Sequence, residues 1–243
     1  MSLIEKINRR IFKRVSPFKR RVLPPQPSDV DFGDFLSPDP ISNLFGFDRG
    51  TPIDRYYIEL FLDSYKTDIR GVCLEVAEDI YTMRFGEDRV ERSDTLHATG
   101  VEKNCTIVGD LTDLNEVKDG TYDCIVLTQV LQFIFDIPAA VREIHRILKP
   151  GGVCLATGGG IAQISRYDMD RWGEYWRFTD LGARRLFEAN FDSKDIEVVT
   201  YGNTGSAVAF LEGLTVEELS PEFLNAHNPD YQVVIGICAR KTH

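Results

Sequence analysis

Three acids in the first half of the chain, Glu75, Asp94 and Asp110, each stand at or just past the end of a short apolar run, and Thr128-Gln129 follow a fourth such run. Short apolar runs of this kind read as strands. Carboxylates gathered at the ends of parallel strands suit the hydroxyls of a nucleoside, because one carboxylate accepts two hydrogen bonds at once. The spacing of 19 residues between Glu75 and Asp94 is close to the interval at which an acid after the second strand reaches a ribose diol. A ribose without a 2′-phosphate is the expected partner. A second concentration of chemistry lies at 165–179, SRYDMDRWGEYWRFT. There Asp168 and Asp170 can act as a base or bind hydroxyls, Trp172 and Tyr175 can stack on a flat face, and Arg171 and Arg177 can hold an anion.

Positioning these groups requires strands feeding helices. Apolar runs at 72–76, 89–93, 105–108, 122–127, 152–157, 196–201 and 231–239 read as strands, and helical patterns start near Pro52, Asp136, Thr179 and Ser206. The segment 136–148 opens on Asp136 as N-cap with Pro138 in the first turn, and Gly151 follows its end. Near-continuously apolar strands alternating with helices predict an α/β fold, a doubly wound, mostly parallel sheet with helices on both faces. Ligands bind such sheets outside the carboxyl ends of the strands, where strand order reverses.

The chain has 243 residues, 43% of them hydrophobic and 27% charged, enough for one sizeable core plus appendages. Its net charge is -10, yet the first 21 residues carry eight Lys or Arg against Glu5 alone, leaving −17 for the remainder. An acidic body argues against a nucleic-acid groove. Residues 1–22 read as a basic amphipathic helix, with 3–21 suited to a peripheral membrane surface or an acidic protein partner. Residues 23–42 form a proline-punctuated linker and 43–243 the globular domain. No apolar run reaches the length of a membrane span and no secretory signal is visible, which predicts a cytoplasmic protein, attached at most to the inner membrane surface. The five cysteines sit inside apolar runs without a CxxC pair, so they read as core residues, and no metal site is expected.

The runs Val72-Cys-Leu-Glu-Val76, Ile107-Val-Gly-Asp110, Tyr122-Asp-Cys-Ile-Val126 and above all Glu143-Ile-His-Arg-Ile-Leu-Lys-Pro-Gly-Gly152 resemble the class I S-adenosylmethionine-dependent methyltransferases of the small type-11 kind. The resemblance spans about residues 45–240 and implies a seven-stranded Rossmann-like sheet with an antiparallel last strand and S-adenosyl-L-methionine as cofactor. It implies that Glu75 anchors the loop under the methionine half, Asp94 takes the ribose hydroxyls, Asp110 and Leu111 meet the adenine, and Thr128 and Gln129 lie beneath the sulfonium. His97 joins Asp168 and Asp170 as a candidate for acid-base work. The runs FGFDRGTPIDRYY and SRYDMDRWGEYWRFT look similar to methyltransferases found beside glycosyltransferases in surface-polysaccharide pathways, which implies a glycan-like or small-molecule hydroxyl acceptor.

One departure is plain. Where the family carries Gly-x-Gly, this chain has Ala77-Glu78-Asp79, and only about twelve residues separate its first two strands, the lower limit for a crossover. Side chains are expected to take over from the missing glycines: Arg49 or Arg84 for a carboxylate, with Ala77, Tyr81 and Thr82 along the shortened turn. A pyrophosphate needs close backbone approach, so the lost glycines weigh more against a nicotinamide-dependent oxidoreductase than against an adenosyl donor. The competing reading is a scaffold that keeps the fold, lacks the donor site, and is recruited by its basic helix.

Overall fold

The computed structural model describes residues 25–26, 29–31, 33–35, 37–99 and 105–242. Two compact units divide the chain, Met1–Asp39 and Pro40–His243. The described part of the first contains the single-turn helix Gly33–Phe35. The basic helix expected over 3–21 lies outside the described residues.

The second unit runs α1 (Ile53–Ser64), β1 (Gly71–Val76), α2 (Ile80–Gly86), β2 (Val90–His97), β3 (Ile107–Val108), β4 (Tyr122–Thr128), α3 (Ile137–Ile147), β5 (Leu148–Gly159), α4 (Arg166–Trp172), α5 (Asp180–Phe187), β6 (Ile196–Tyr201), α6 (Thr204–Leu211), α7 (Pro221–Asn225) and β7 (Val234–Arg240). The strands form one sheet in the order β3-β2-β1-β4-β5-β7-β6. All neighbours are parallel except β7, which runs antiparallel to β5 and β6. Strand order therefore reverses between β1 and β4, as the expected doubly wound architecture requires.

Each face of the sheet carries its own core. One holds Leu74, Ile125 and Leu127 against Val141 and Ile144 of α3 and Phe187 of α5. The other holds Cys73, Cys124 and Leu155 against Ile53, Tyr57 and Phe61 of α1 and Phe210 of α6. Burying a Leu, Ile or Phe stabilises by roughly 2–3 kcal/mol, so two-sided burial of the central strands accounts for their apolar runs. Four of the five cysteines are buried and none is bonded to another, in keeping with core residues.

The motif at 143–152 is a set of ties. Arg146 donates to Glu143, Asp119 and the carbonyls of Leu114 and Val117, fixing the loop after β3 against α3. Lys149 and the amide of Val72 share the Asp123 carboxylate, joining the starts of β1, β4 and β5. From the far end of the chain, Lys241 donates its ammonium to the carbonyls of His145 and Leu148 at the end of α3. His145 packs edge-on against Phe191 at 4.9 Å, and its pKa is lowered by burial and by Lys241.

The crossover between β1 and β2 is as short as its sequence implies, with α2 only seven residues long. It closes because Gly86 lies against the Val90 and Ile69 side chains, where an added Cβ would come within 2.3 Å and 2.9 Å. Two strands differ most from expectation, while β3 is cut to Ile107–Val108 and β7 starts at Val234. β2 extends to His97, four residues beyond the predicted end, because Thr95 and Leu96 are buried and pair with Glu75 and Val76. β5 begins directly at Leu148, since Lys149-Pro150-Gly151-Gly152 continues the strand instead of preceding it.

Candidate active site

At the exit of β1, Glu75 is buried and turns its carboxylate onto the start of α2. Its oxygens accept from the amides of Thr82 at 2.7 Å and Tyr81 at 3.4 Å, a role the N-cap residue Asp79 does not fill. Burial pushes the Glu75 carboxyl up to about 7, against the lowering effect of the Thr82 amide hydrogen bond. Beyond Glu75 the chain bends through Ala77 at φ 72°, a left-handed conformation that favours glycine. The backbone bend of a glycine loop is thus kept without the glycine, and the Ala77 amide is tied to the Leu96 carbonyl of β2.

The side chains expected to replace the glycines divide. Thr82 is fully buried and its hydroxyl has no partner among the described residues, so it faces the core. Arg49 donates its guanidinium to the Gly213 carbonyl and pairs with Glu218 at 2.6 Å, bracing the 46–50 turn against 213–218. Arg84 pairs with both oxygens of Glu59 on α1. Tyr81 instead meets Arg55, whose Nη1 donates to the Tyr81 hydroxyl at 3.2 Å. Sequence reasoning passed over Arg55, because its position in the first turn of α1 carries no motif.

Asp94, expected just past β2, has its partners within the sheet. It lies inside β2, beside Leu74 of β1, and its carboxylate accepts from the Tyr122 hydroxyl at 3.0 Å and pairs with Arg92 at 3.1 Å. Those bonds fix it in the sheet. The residue at the end of β2 is His97, whose ring lies edge-on to Trp172 of α4 with centroids 5.8 Å apart. After β3, Asp110 is exposed and accepts from the amide and hydroxyl of Thr112, while Leu111 is buried. At the end of β4, half-buried Thr128 leads into Gln129, left-handed at φ 57° and held by its amide to Thr157 of β5. Gln129 accepts from the Gln132 amide at 2.9 Å, leaving Gln129 Nε2 and Gln132 Oε1 buried without partners among the described residues.

Beyond β5 the expected aromatic loop contains α4. Ser165 caps it and donates its hydroxyl to Asp168 at 2.6 Å. Asp170 is exposed and lies 3.9 Å from Arg166. Arg171 is engaged locally, over the Tyr167 ring and on the Tyr167 carbonyl. Arg177 braces the loop: it pairs with Glu174, whose side chain is buried, at 2.6 Å and donates to the Gln163 carbonyl, while Glu174 accepts from the Ser165 amide. Glu174 was invisible in the sequence, one acid among many. Phe178 is buried against Gly158 as expected of a packing residue. Trp176 is not; it is 40% exposed, stacks on Phe135 and donates its indole N–H to the Ile134 carbonyl. Phe135, Tyr175 and Trp176 thus form an exposed aromatic shelf.

The strand ends, the left-handed exit of β1 and the helical loop after β5 all lie at the carboxyl end of the sheet, about its switch point. Residues 70–156 match the methyltransferase domain family. That stretch holds β1 through most of β5, with Glu75, Ala77, Asp94, Asp110, Thr128 and Gln129; α1 and the loop after β5 lie outside it. Among solved structures, a SAM-dependent methyltransferase from Archaeoglobus fulgidus superposes with a TM-score of 0.51 at 10% identity, over 77% of this chain and 94% of that one. Phosphoethanolamine N-methyltransferase 2 of Haemonchus contortus, in complex with S-adenosyl-L-methionine, gives 0.51 at 15% identity, over 76% of this chain and 53% of that one. No curated protein matches the sequence. The fold is the Rossmann-like methyltransferase fold. Among the described residues no cluster of metal-ligating side chains occurs, and no helix is long and apolar enough to cross a membrane.

Proposed function

We propose that the protein is an S-adenosylmethionine-dependent methyltransferase acting on a hydroxyl of a sugar, glycan or related small molecule. The observation that carries this is the exit of β1, where a buried acid holds the following helix and the left-handed bend survives at Ala77. The match over 70–156 supports the same donor. S-adenosylmethionine supplies a methyl group on an electrophilic sulfonium. The chain's own work is to bind, align and exclude water. Glu75 fixes the β1 exit, Leu111 gives an apolar contact for the adenine, Asp110 faces its edge, and Thr128 and Gln129 line the floor between β4 and β5. On the acceptor side the Phe135, Tyr175 and Trp176 shelf suits the flat apolar face of a sugar. His97, between the end of β2 and the loop after β5, takes the acceptor proton, with Asp168 as its nearest alternative on α4.

Titration calorimetry of cofactor-free protein with S-adenosylmethionine and S-adenosylhomocysteine tests the donor. Absence of heat with both ligands rejects the reading. The scaffold alternative is favoured by one observation, the engagement of Asp94 by Tyr122 and Arg92, which leaves no unengaged acid among the described residues at the end of β2 for a ribose. That same titration decides between them, and the membrane or protein partner of residues 3–21 is tested by vesicle co-sedimentation of the full chain.

A further inference from the structure

Two contacts fix how α1 and α2 lie. Arg55 meets Tyr81 and, one turn on, Glu59 meets Arg84, so the helices run side by side in the same direction. α2 starts where β1 ends; α1 therefore also starts at the carboxyl end of the sheet, and its first turn brings Arg55 beside the loop 77–79. The guanidinium is half-buried, covered by the Phe47 ring at 5.6 Å. Among the described residues, one of its five N–H donors is bonded, to Tyr81. Among the described residues no carboxylate forms a hydrogen-bonded ion pair with it: Glu59 is taken by Arg84, and buried Asp54, its chain neighbour, attracts it only through space, as Glu59 does. The other cations of this neighbourhood, Arg49 and Arg84, are both paired. A partly desolvated guanidinium with unfilled donors and no hydrogen-bonded carboxylate among the described residues suits a further anion, and its planar fork matches a carboxylate.

We propose that Arg55, steadied by Tyr81 and covered by Phe47, is the residue that binds the carboxylate of the donor's amino-acid end, replacing the recognition that a glycine loop would give. This rests on the reading above, in which the methionyl arm lies over the exit of β1. It also assigns a purpose to the 43–52 segment. Arg49 with Glu218, and Gln163 with the Asn43 carbonyl, hold that segment so that Phe47 stays over Arg55.

The test titrates wild type, Arg55→Gln and Arg55→Lys with S-adenosylhomocysteine and with 5′-methylthioadenosine, the same thioether without the amino-acid end. Unliganded melting temperatures check that the variants fold. Losing a charged hydrogen-bonded contact is expected to weaken S-adenosylhomocysteine binding by about 10- to 100-fold in Arg55→Gln, with Arg55→Lys between. Binding of 5′-methylthioadenosine is expected to stay unchanged. Equal losses for both ligands, or no loss for S-adenosylhomocysteine, overturn the proposal while the donor reading stands. If wild type binds neither ligand, the donor reading falls and takes this proposal with it.

Discussion

The two sides of the switch point are built from different material. At the exit of β1 the contacts are buried and mostly involve backbone: a carboxylate on two amides, a left-handed bend tied to the next strand. Past β5 the reactive side chains are exposed and bonded mainly to one another, Ser165 with Asp168, Arg171 with Tyr167, Trp176 on Phe135. A rigid frame suits a ligand that never varies, and an exposed, self-paired surface leaves acceptor contacts free to be remade.

The contrast breaks first at Glu75. Its folded-state pKa of about 7 lies above the ordinary 4.5, so the folded protein holds this proton more tightly than the unfolded chain. The associated stability is full below about pH 4.5 and is lost as pH rises through about 7, by about 3 kcal/mol. Glu75→Gln keeps an acceptor for the Thr82 amide and is expected to remove that loss, so urea melts of the two proteins should diverge progressively from pH 5 to pH 8. Parallel melts would show that the carboxyl is not buried as described. Next in size is the brace of the loop after β5. Arg177→Ala leaves Glu174 without its cation and is expected to cost about 1–2 kcal/mol, local to residues 160–178 and visible as faster proteolysis there than elsewhere. Relief of the bend comes third: Ala77→Gly should stabilise by about 0.5–1 kcal/mol despite its greater unfolded-state freedom, measured by thermal unfolding. Trp176→Ala is the smallest in stability, under about 0.5 kcal/mol, yet it should lower turnover of a sugar acceptor several-fold in a methyl-transfer assay.

The sheet was legible because burial on both faces writes itself as apolar runs, and α3 because Asp136 caps it, accepting from Ala139 at 3.0 Å. Site residues fared less evenly. Asp94 misled because strand ends depend on register, and two further residues of β2 are buried beside Glu75 and Val76. Arg49, Arg171 and Arg177 read as ligand-binding cations; Arg49 has a partner that only folding brings near, Glu218 from 169 residues away, while Arg171 and Arg177 meet Tyr167 and Glu174 within their own segment. Arg55 is the converse: nothing local marks it, and only the parallel docking of α1 on α2 places it at the strand ends.

The bond from Lys241 to the carbonyls at the end of α3 also has a consequence in time. The partners Lys241 and Leu148 stand 93 residues apart, so at a synthesis rate of roughly 5–20 residues per second that helix leaves the ribosome about 5–20 s before its cap exists. β7, wedged between β5 and β6, arrives equally late. The nascent sheet therefore waits, with an open strand edge on β5, for β7 and Lys241, and a chain cut short before Val234 would be left at that stage.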